Sequence, residues 1–405
     1  MYTEMRKVHI IRNTYDLSCL TFFVSLWGFG LLPNMTGWIL VPIAVLSLIL
    51  TNRKNDFLGK YILLFILFLF VSTISCWYVR NQPIFETVKT ITFLNCALFL
   101  TYYIYSAIKP SIKTLERMFL LFYWFFLFIY LITYLVYPTH IVPILAGEYT
   151  HRFRIIGQAI NSLSFLMYLN KWMTARRNVY LLYLIPSILV FFVLAFRLMI
   201  IGVIISALIM YLKVMKFRLY SFLMVTFVSL VVGGGLTFTS IGQTSIDRMM
   251  NAQEEETFDN SNYIRMLELD YFLNDFHKNN LEKITGAGLP GTKSDYGKSM
   301  QIDAIVENNA ETTGWVDWGL LGLSWIIGPI TVLILLFIMC KCIYISWISD
   351  KCYFYIAAWF IFLLLISINN SEAYRQGTFS IYAAVLYLTN QLIRKKKRNH
   401  ETIVC

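Results

Sequence analysis

Charge is scarce in this chain: Asp, Glu, Lys and Arg make up 14% of its 405 residues, against 58% hydrophobic residues. So few charges cannot cover a water-soluble domain of this size, and long apolar runs recur from end to end, which excludes an ordinary soluble protein. Cysteine is sparse and scattered. Cys19, Cys76, Cys96, Cys340, Cys342, Cys352 and Cys405 lie in apolar runs, in basic connections or at the last position, with none in the polar segment after residue 236. That excludes a disulfide framework and a cysteine metal site. The glycine-rich "GAGLPG" at 286–291 lacks the Gly-Lys-Ser/Thr element of a phosphate-binding P-loop, so a nucleotide site is not expected there. No small-residue cleavage site follows the first apolar run, which therefore reads as a retained span rather than a signal peptide. No internal repeat is visible.

What is present is a series of apolar runs long enough to cross a bilayer. They fall at about 15–32, 37–50, 59–78, 88–107, 118–137, 156–172, 179–195, 198–212, 219–236, 317–340, 353–368 and 378–393. The expected fold is therefore an all-α integral membrane protein with about twelve transmembrane helices. Nine lie in residues 1–236 and three in 317–393, with a large polar loop at 237–316 between them and a basic tail at 394–405.

Lysine and arginine gather in alternate connections: Arg6/Lys7/Arg12, Arg53/Lys54/Lys60, Lys109/Lys113/Arg117, Lys171/Arg176/Arg177, Lys213/Lys216/Arg218, Lys341/Lys351 and "RKKKR" at 394–398. The positive-inside rule makes these cytoplasmic, with both termini inside and the loop 237–316 outside. The net charge of +11 is then mostly topological, and membrane lipid, not nucleic acid, is its expected partner. The same rule treats the apolar run from Val179 to Leu212 as a hairpin, because both flanks are basic. A single helix of that length would measure about 50 Å against a hydrocarbon core of about 30 Å. The reversal places Arg197, inside "VLAFRLMIIG", near the extracytoplasmic tip.

The outer loop holds more than half of the chain's 23 acidic residues. Its stretch "DNSNYIRMLELDYFLNDFHKNN" opens on capping residues and continues with apolar residues at helical spacing. It predicts one amphipathic helix, ended by "GAGLPG", lying on the membrane surface or over a cavity. On the outer face the noteworthy cations are arginines: Arg152 and Arg154 in "HRFRIIGQAIN", Arg197, Arg265 in the loop and Arg375 in "NNSEAYRQG". Arginine costs about 2.5 to 3.5 kcal/mol at the middle of a membrane helix and less near its end, so Arg197 needs an anionic partner or a route to the interface. Singly, each such residue fits an anchor or a salt bridge, as Arg265 with Glu268 would. As a group they suit a pyrophosphate, which guanidinium groups bind bidentately without a metal. His151 and His277 are also extracytoplasmic, with no second ligand at helical spacing for zinc. Trp315 and Trp318 flank the loop exit, where interfacial anchoring or sugar stacking would suit them.

In four segments the sequence resembles the Wzy-type O-antigen and capsular polysaccharide polymerases and the related O-antigen ligases. "RFRIIGQAINSLSF" is similar to the family's Arg, Gly and Asn stretch, matching Arg154, Gly157 and Asn161. "VLAFRLMIIGVIIS" is similar to the segment that supplies an arginine, here Arg197. "YIRMLELDYFLNDFHKNNLEKITGAG" is similar to the loop arginine, amphipathic helix and Gly-x-Gly element, matching Arg265, Gly286 and Gly288. "VENNAETTGWVDWGLLG" resembles the loop exit, where many members carry a histidine eleven residues before a Gly-x-x-Gly. Counting back from Gly319 gives Asn308. That histidine is regarded as catalytic in the ligases, so its replacement by Glu307-Asn308 favours a polymerase.

The resemblance implies a GT-C-like fold and a glycosyltransferase needing no metal and no other cofactor. Donor and acceptor would both be polyprenyl (undecaprenyl) pyrophosphate-linked oligosaccharides at the outer face of the cytoplasmic membrane, and a chain-length regulator would be a candidate partner. The pyrophosphate would be held by Arg197, Arg265 and Arg154, with Arg375, Arg152, His151, Asn161 and Gly288 as further substrate contacts. Glu307 and Asn308 mark the catalytic position. Glu307 is the first choice of general base, with Glu311 and Asp303 as alternatives. A ligase, or a transporter of lipid-linked sugars, remains the competing expectation.

Overall fold

Polar punctuation between the apolar runs becomes the set of helix caps. The structure, a computed structural model, is described over residues 36–50, 56–87, 97–136, 158–194, 197–215, 268–291, 293–302, 315–368, 374 and 376–404. Among these residues every regular element is helical. Helix α1 is Thr36–Leu50, α2 Gly59–Arg80, α3 Ala97–Ile108, α4 Ile112–Leu135, α5 Gln158–Ala175, α6 Ile185–Leu194 and α7 Arg197–Met215. The loop supplies α8, Asn280–Thr285, and α9, Asp295–Ile302; then come α10, Gly319–Ile327, α11, Pro329–Trp347, α12, Phe354–Ile366, and α13, Gln376–Val404. Asp56 accepts the Gly59 N–H at 3.0 Å to start α2, and Asn81 ends it at a φ of 52°. Ser111 accepts the Thr114 N–H at 3.1 Å to start α4.

Among the described residues four segments are long and apolar enough to cross a membrane: Gly59–Arg80, Ile112–Leu135, Leu198–Met215 and Pro329–Trp347. Their outward faces carry large bare apolar side chains such as Leu67, Ile74, Phe128 and Leu333, as a lipid-facing surface requires. Helix α12 differs. Nearly all its residues are buried, the pattern of a helix enclosed by others, and its Trp359 and Phe360 pack with Tyr382 of α13. Phe65 of α2 stacks on Phe99 of α3 at 4.6 Å, and Phe99 reaches Tyr382 at 5.6 Å, so the core is continuous through the bundle.

Five of the basic connections meet at one end. Lys171 at the end of α5 pairs with Glu116 at the start of α4 at 3.2 Å. The Lys351 amine donates to the Val214 carbonyl at 3.3 Å, and Lys395 pairs with Asp350 at 3.1 Å. Tyr387 donates to the Pro110 carbonyl at 3.5 Å. The Arg176 guanidinium lies 3.6 Å from the Met215 sulfur. This last contact joins the two flanks of the run 179–212, so the chain doubles back within that run.

Three expected elements differ. The span 179–195 is divided into a single turn of helix, Val179–Leu182, and α6, Ile185–Leu194. The span 317–340 is divided: α10 stops at Ile327, Gly328 turns at a φ of +87°, and the membrane-length helix is Pro329–Trp347. Proline at 329 has no N–H to give the Trp325 carbonyl, so the ladder must open here. In the loop, the expected single helix is two. The first ends in a π-turn at Tyr271–Asp275, and α8 starts afresh because Asn279, in extended backbone, accepts the Glu282 N–H at 3.0 Å. Helix α9 was not expected. The runs at 15–32 and 219–236 lie outside the described residues.

Candidate functional site

The end remote from the basic cluster is where the polar loop attaches. The break before Pro329 frees the Trp325 and Ile326 carbonyls, and the loop fills both: Ala287 N–H donates to Trp325 at 3.0 Å and Gly288 N–H to Ile326 at 2.7 Å. Ser72 of α2 adds a second bond to Ile326 at 3.0 Å. Such close crossing of two backbones requires glycine on each strand. An added β-carbon on Gly286, at a φ of +81°, would overlap the Gly328 backbone, and one on Gly328 would overlap Thr285 and Ile284.

Charge and amide groups lock the same segment. Arg80, at the end of α2, gives Nε to Glu282 at 2.6 Å and Nη2 to its other oxygen at 2.8 Å, and also donates to the Phe276 carbonyl. The rings of Phe276 and Tyr296 lie 5.0 and 4.8 Å from the guanidinium carbon. The pair is almost wholly sealed, with side-chain exposures of 7% and 0%. Gln82 uses both ends of its amide, accepting from Gly291 N–H at 2.7 Å and Ser294 Oγ at 2.8 Å while donating to Leu289 at 3.2 Å. His277 sits beside this pair. Burial, and then Arg80 and Lys283, hold its imidazole below the ordinary value, against the opposing pull of the Trp325 carbonyl and Glu282.

Arg80 and Gln82 were not singled out from the sequence. Both follow an apolar run in "WYVRNQP", where an arginine reads as an interfacial anchor, and the partner Glu282 is 202 residues away. Arg80 spends Nε and Nη2 on the loop, which makes it a structural tie between α2 and that segment.

Of the residues expected at the site, Arg197 is the first residue of α7, its side chain lying outside the described residues. Arg152, Arg154, His151, Arg265, Glu307, Asn308 and Arg375 also lie outside them, as do Asp303 and Glu311. Gly288 is buried at a φ of +79° against Cys76 of α2, with its N–H spent on Ile326, so its work is to let the loop approach α2. Asn161 is fully buried in the first turns of α5, and neither amide atom has a hydrogen-bond partner among the described residues. Trp315 stacks on Tyr374 at 5.9 Å, and the Tyr374 hydroxyl donates to the Gly319 carbonyl at 3.1 Å. This ties the start of α10 to the residue before Arg375.

Direction supplies the remaining geometry. Helices α5, α7 and α13 all end at the basic cluster, so all three start at the opposite end, and α5 packs against both others. Their first residues are Gln158, Arg197 and Gln376. Arg154 and Arg375 precede two of these starts by four residues and by one, and Arg197 is the third. The three arginines lie at or next to the first described residues of these helices, and guanidinium groups gathered at one end of a bundle suit an anion. Among the described residues no three His, Cys, Asp or Glu side chains are grouped to hold a metal. No protein-family model matches the chain, and no curated protein is similar to it.

Proposed function

We propose that the protein polymerises lipid-linked oligosaccharides, joining polyprenyl-pyrophosphate-linked repeat units on the outer face of a cytoplasmic membrane. One observation carries this reading: α5, α7 and α13 all run from the end remote from the basic cluster, with Arg154, Arg197 and Arg375 at or just before their first described residues. The basic end is the cytoplasmic one by the positive-inside rule, about twelve helices complete the membrane domain, and the anchored loop attaches at the other end.

In the proposed reaction an acceptor sugar hydroxyl attacks the anomeric carbon of the donor glycan. The bond from that carbon to the phosphate oxygen breaks as the bond to the acceptor oxygen forms. The hydroxyl proton passes to a carboxylate, Glu307 first and Glu311 or Asp303 otherwise, and polyprenyl pyrophosphate departs with the bonding pair. Guanidinium groups stabilise the charge that grows on the leaving phosphate. Arg265 would reach the same group from the loop.

The broken helix at Gly328 invites comparison with transporters, whose interrupted helices offer free carbonyls to ions. Here the Trp325 and Ile326 carbonyls are taken by the loop, which favours an anchored catalytic loop instead. Disruption of the gene in its source strain tests the reading. A surface glycan reduced to single repeat units supports the polymerase. Long lipid-linked chains left unattached would identify a ligase, and repeat units trapped on the inner leaflet a transporter.

A further inference from the structure

One stripe of α5 carries polar groups that the surrounding helices leave unmet. Asn161 is fully buried with both amide atoms unpartnered, and the Ser164 hydroxyl, also buried, lacks a partner as well, among the described residues. Ser162 is turned about 100° round the helix from Asn161, and it is satisfied, receiving Trp359 Nε1 at 3.2 Å and donating to the Ala159 carbonyl at 3.0 Å. The core therefore serves the polar group that faces α12 and leaves the other stripe open. A buried amide with neither atom partnered is rare in folded proteins and calls for an explanation.

Two ring contacts show where the stripe faces. Phe165 and Tyr168 continue it toward the basic end, where Phe165 meets Phe191 of α6 at 5.9 Å and Tyr168 meets Tyr123 of α4 at 5.7 Å. Helix α5 runs opposite to both neighbours. From Tyr168 back to Asn161 is about 10 Å along the axis, and the same step along α4 leads from Tyr123 to the buried Tyr130. From Phe165 to Asn161 is about 6 Å, and that step along α6 leads past Leu194 toward the start of α7 at Arg197. Asn161 thus faces the side of the bundle between Tyr130 and the first described turn of α7.

Arg197, the first described residue of α7, suits an anion, but a carboxamide asks for more. Its Nδ2 donates and its Oδ1 accepts. A phosphate would satisfy Nδ2 and set negative charge against Oδ1. A sugar ring offers donor and acceptor side by side, through vicinal hydroxyls or an acetamido group. We infer that Asn161, with Ser164 beside it, binds the sugar attached directly to the pyrophosphate while the phosphates lie at the start of α7. This rests on the proposed function and adds to it the group that reads the donor glycan.

The test uses the full chain in lipid nanodiscs and three probes: farnesyl pyrophosphate, and polyprenyl pyrophosphate carrying one glucose or one N-acetylglucosamine. Wild type is expected to bind a sugar-bearing probe about tenfold more tightly than the bare one, the value of one good buried hydrogen bond. The preferred probe tells hydroxyl from acetamido recognition. Asn161→Leu should erase the preference, leave the bare probe's Kd unchanged, and keep or raise the thermal midpoint, because it removes an unmet buried amide. A lowered midpoint, a preference retained in Asn161→Leu, or equal binding of all three probes by wild type overturns the inference alone. Failure of wild type to bind even the bare pyrophosphate overturns the proposed function, and the inference with it.

Discussion

Arg80 holds the loop to the bundle through a carboxylate, a carbonyl and two ring faces, and its removal strands Glu282 in a site with no exposure. Breaking a buried pair from one side costs about 3 to 5 kcal/mol. Arg80→Ala is accordingly expected to lower the thermal midpoint of the purified protein strongly. Arg80→Lys should cost less, because it keeps the charge but not the two-pronged bond. His277, against the same pair, gives the loop a pH dependence. Its folded pKa lies below the ordinary 6.5, so the unfolded chain takes up a proton first. The stability contributed by the neutral imidazole is present above pH 6.5 and is lost as pH falls through that value toward the folded pKa. Thermal midpoints between pH 7.5 and 5 should fall more steeply in wild type than in His277→Phe, and equal slopes would show that His277 plays no part. The sequence draws attention to Arg152, Arg154, Arg197, Arg265 and Arg375 because arginine beside a long apolar run is costly and so conspicuous, and their side chains lie outside the described residues. It left Arg80 inconspicuous, because an arginine at a span's end has an ordinary explanation and its partner is remote in the chain.

At the scale of elements, the join between loop and bundle depends on two glycines in mutual contact. Alanine at 328 would hold a left-handed backbone, costing about 1 to 3 kcal/mol, and would also overlap the backbone of α8. Gly328→Ala and Gly286→Ala are each expected to lose more than about 2 kcal/mol, whereas Gly291→Ala, facing the Glu86 side chain without a left-handed φ, should be milder. Chemical denaturation in detergent would rank the three. The helical runs 59–78, 118–137 and 198–212 were legible because apolar length alone defines a span, and their helices Gly59–Arg80, Ile112–Leu135 and Arg197–Met215 cover most or all of each. The run 317–340 was drawn whole because "IIGPI" does not interrupt its hydropathy. The break depends on carbonyl acceptors that a distant loop supplies, which no local pattern encodes. The two-part loop helix escaped for the converse reason: the Asn279 cap is a local signal, but the apolar spacing on either side of it remains helical.

For the whole molecule, the gathering of basic connections at one end and of the loop at the other makes sidedness testable. A cysteine replacing the exposed Lys293 should react with an impermeant thiol reagent on intact cells, and one replacing the exposed Lys351 only after permeabilisation. The reverse pattern would invert the topology and with it the outward placement of the arginines. The central claim is that these arginines hold a lipid pyrophosphate while glycans are joined, and reconstitution tests it most directly. The purified protein would be incubated in liposomes with its lipid-linked repeat unit and a chelator, and product lengths resolved on a gel for wild type, Arg197→Lys and Arg265→Lys. The account predicts a ladder from wild type that shortens or vanishes in both variants while they fold and insert normally. A wild type that makes no ladder but carries the substrate between leaflets would contradict it.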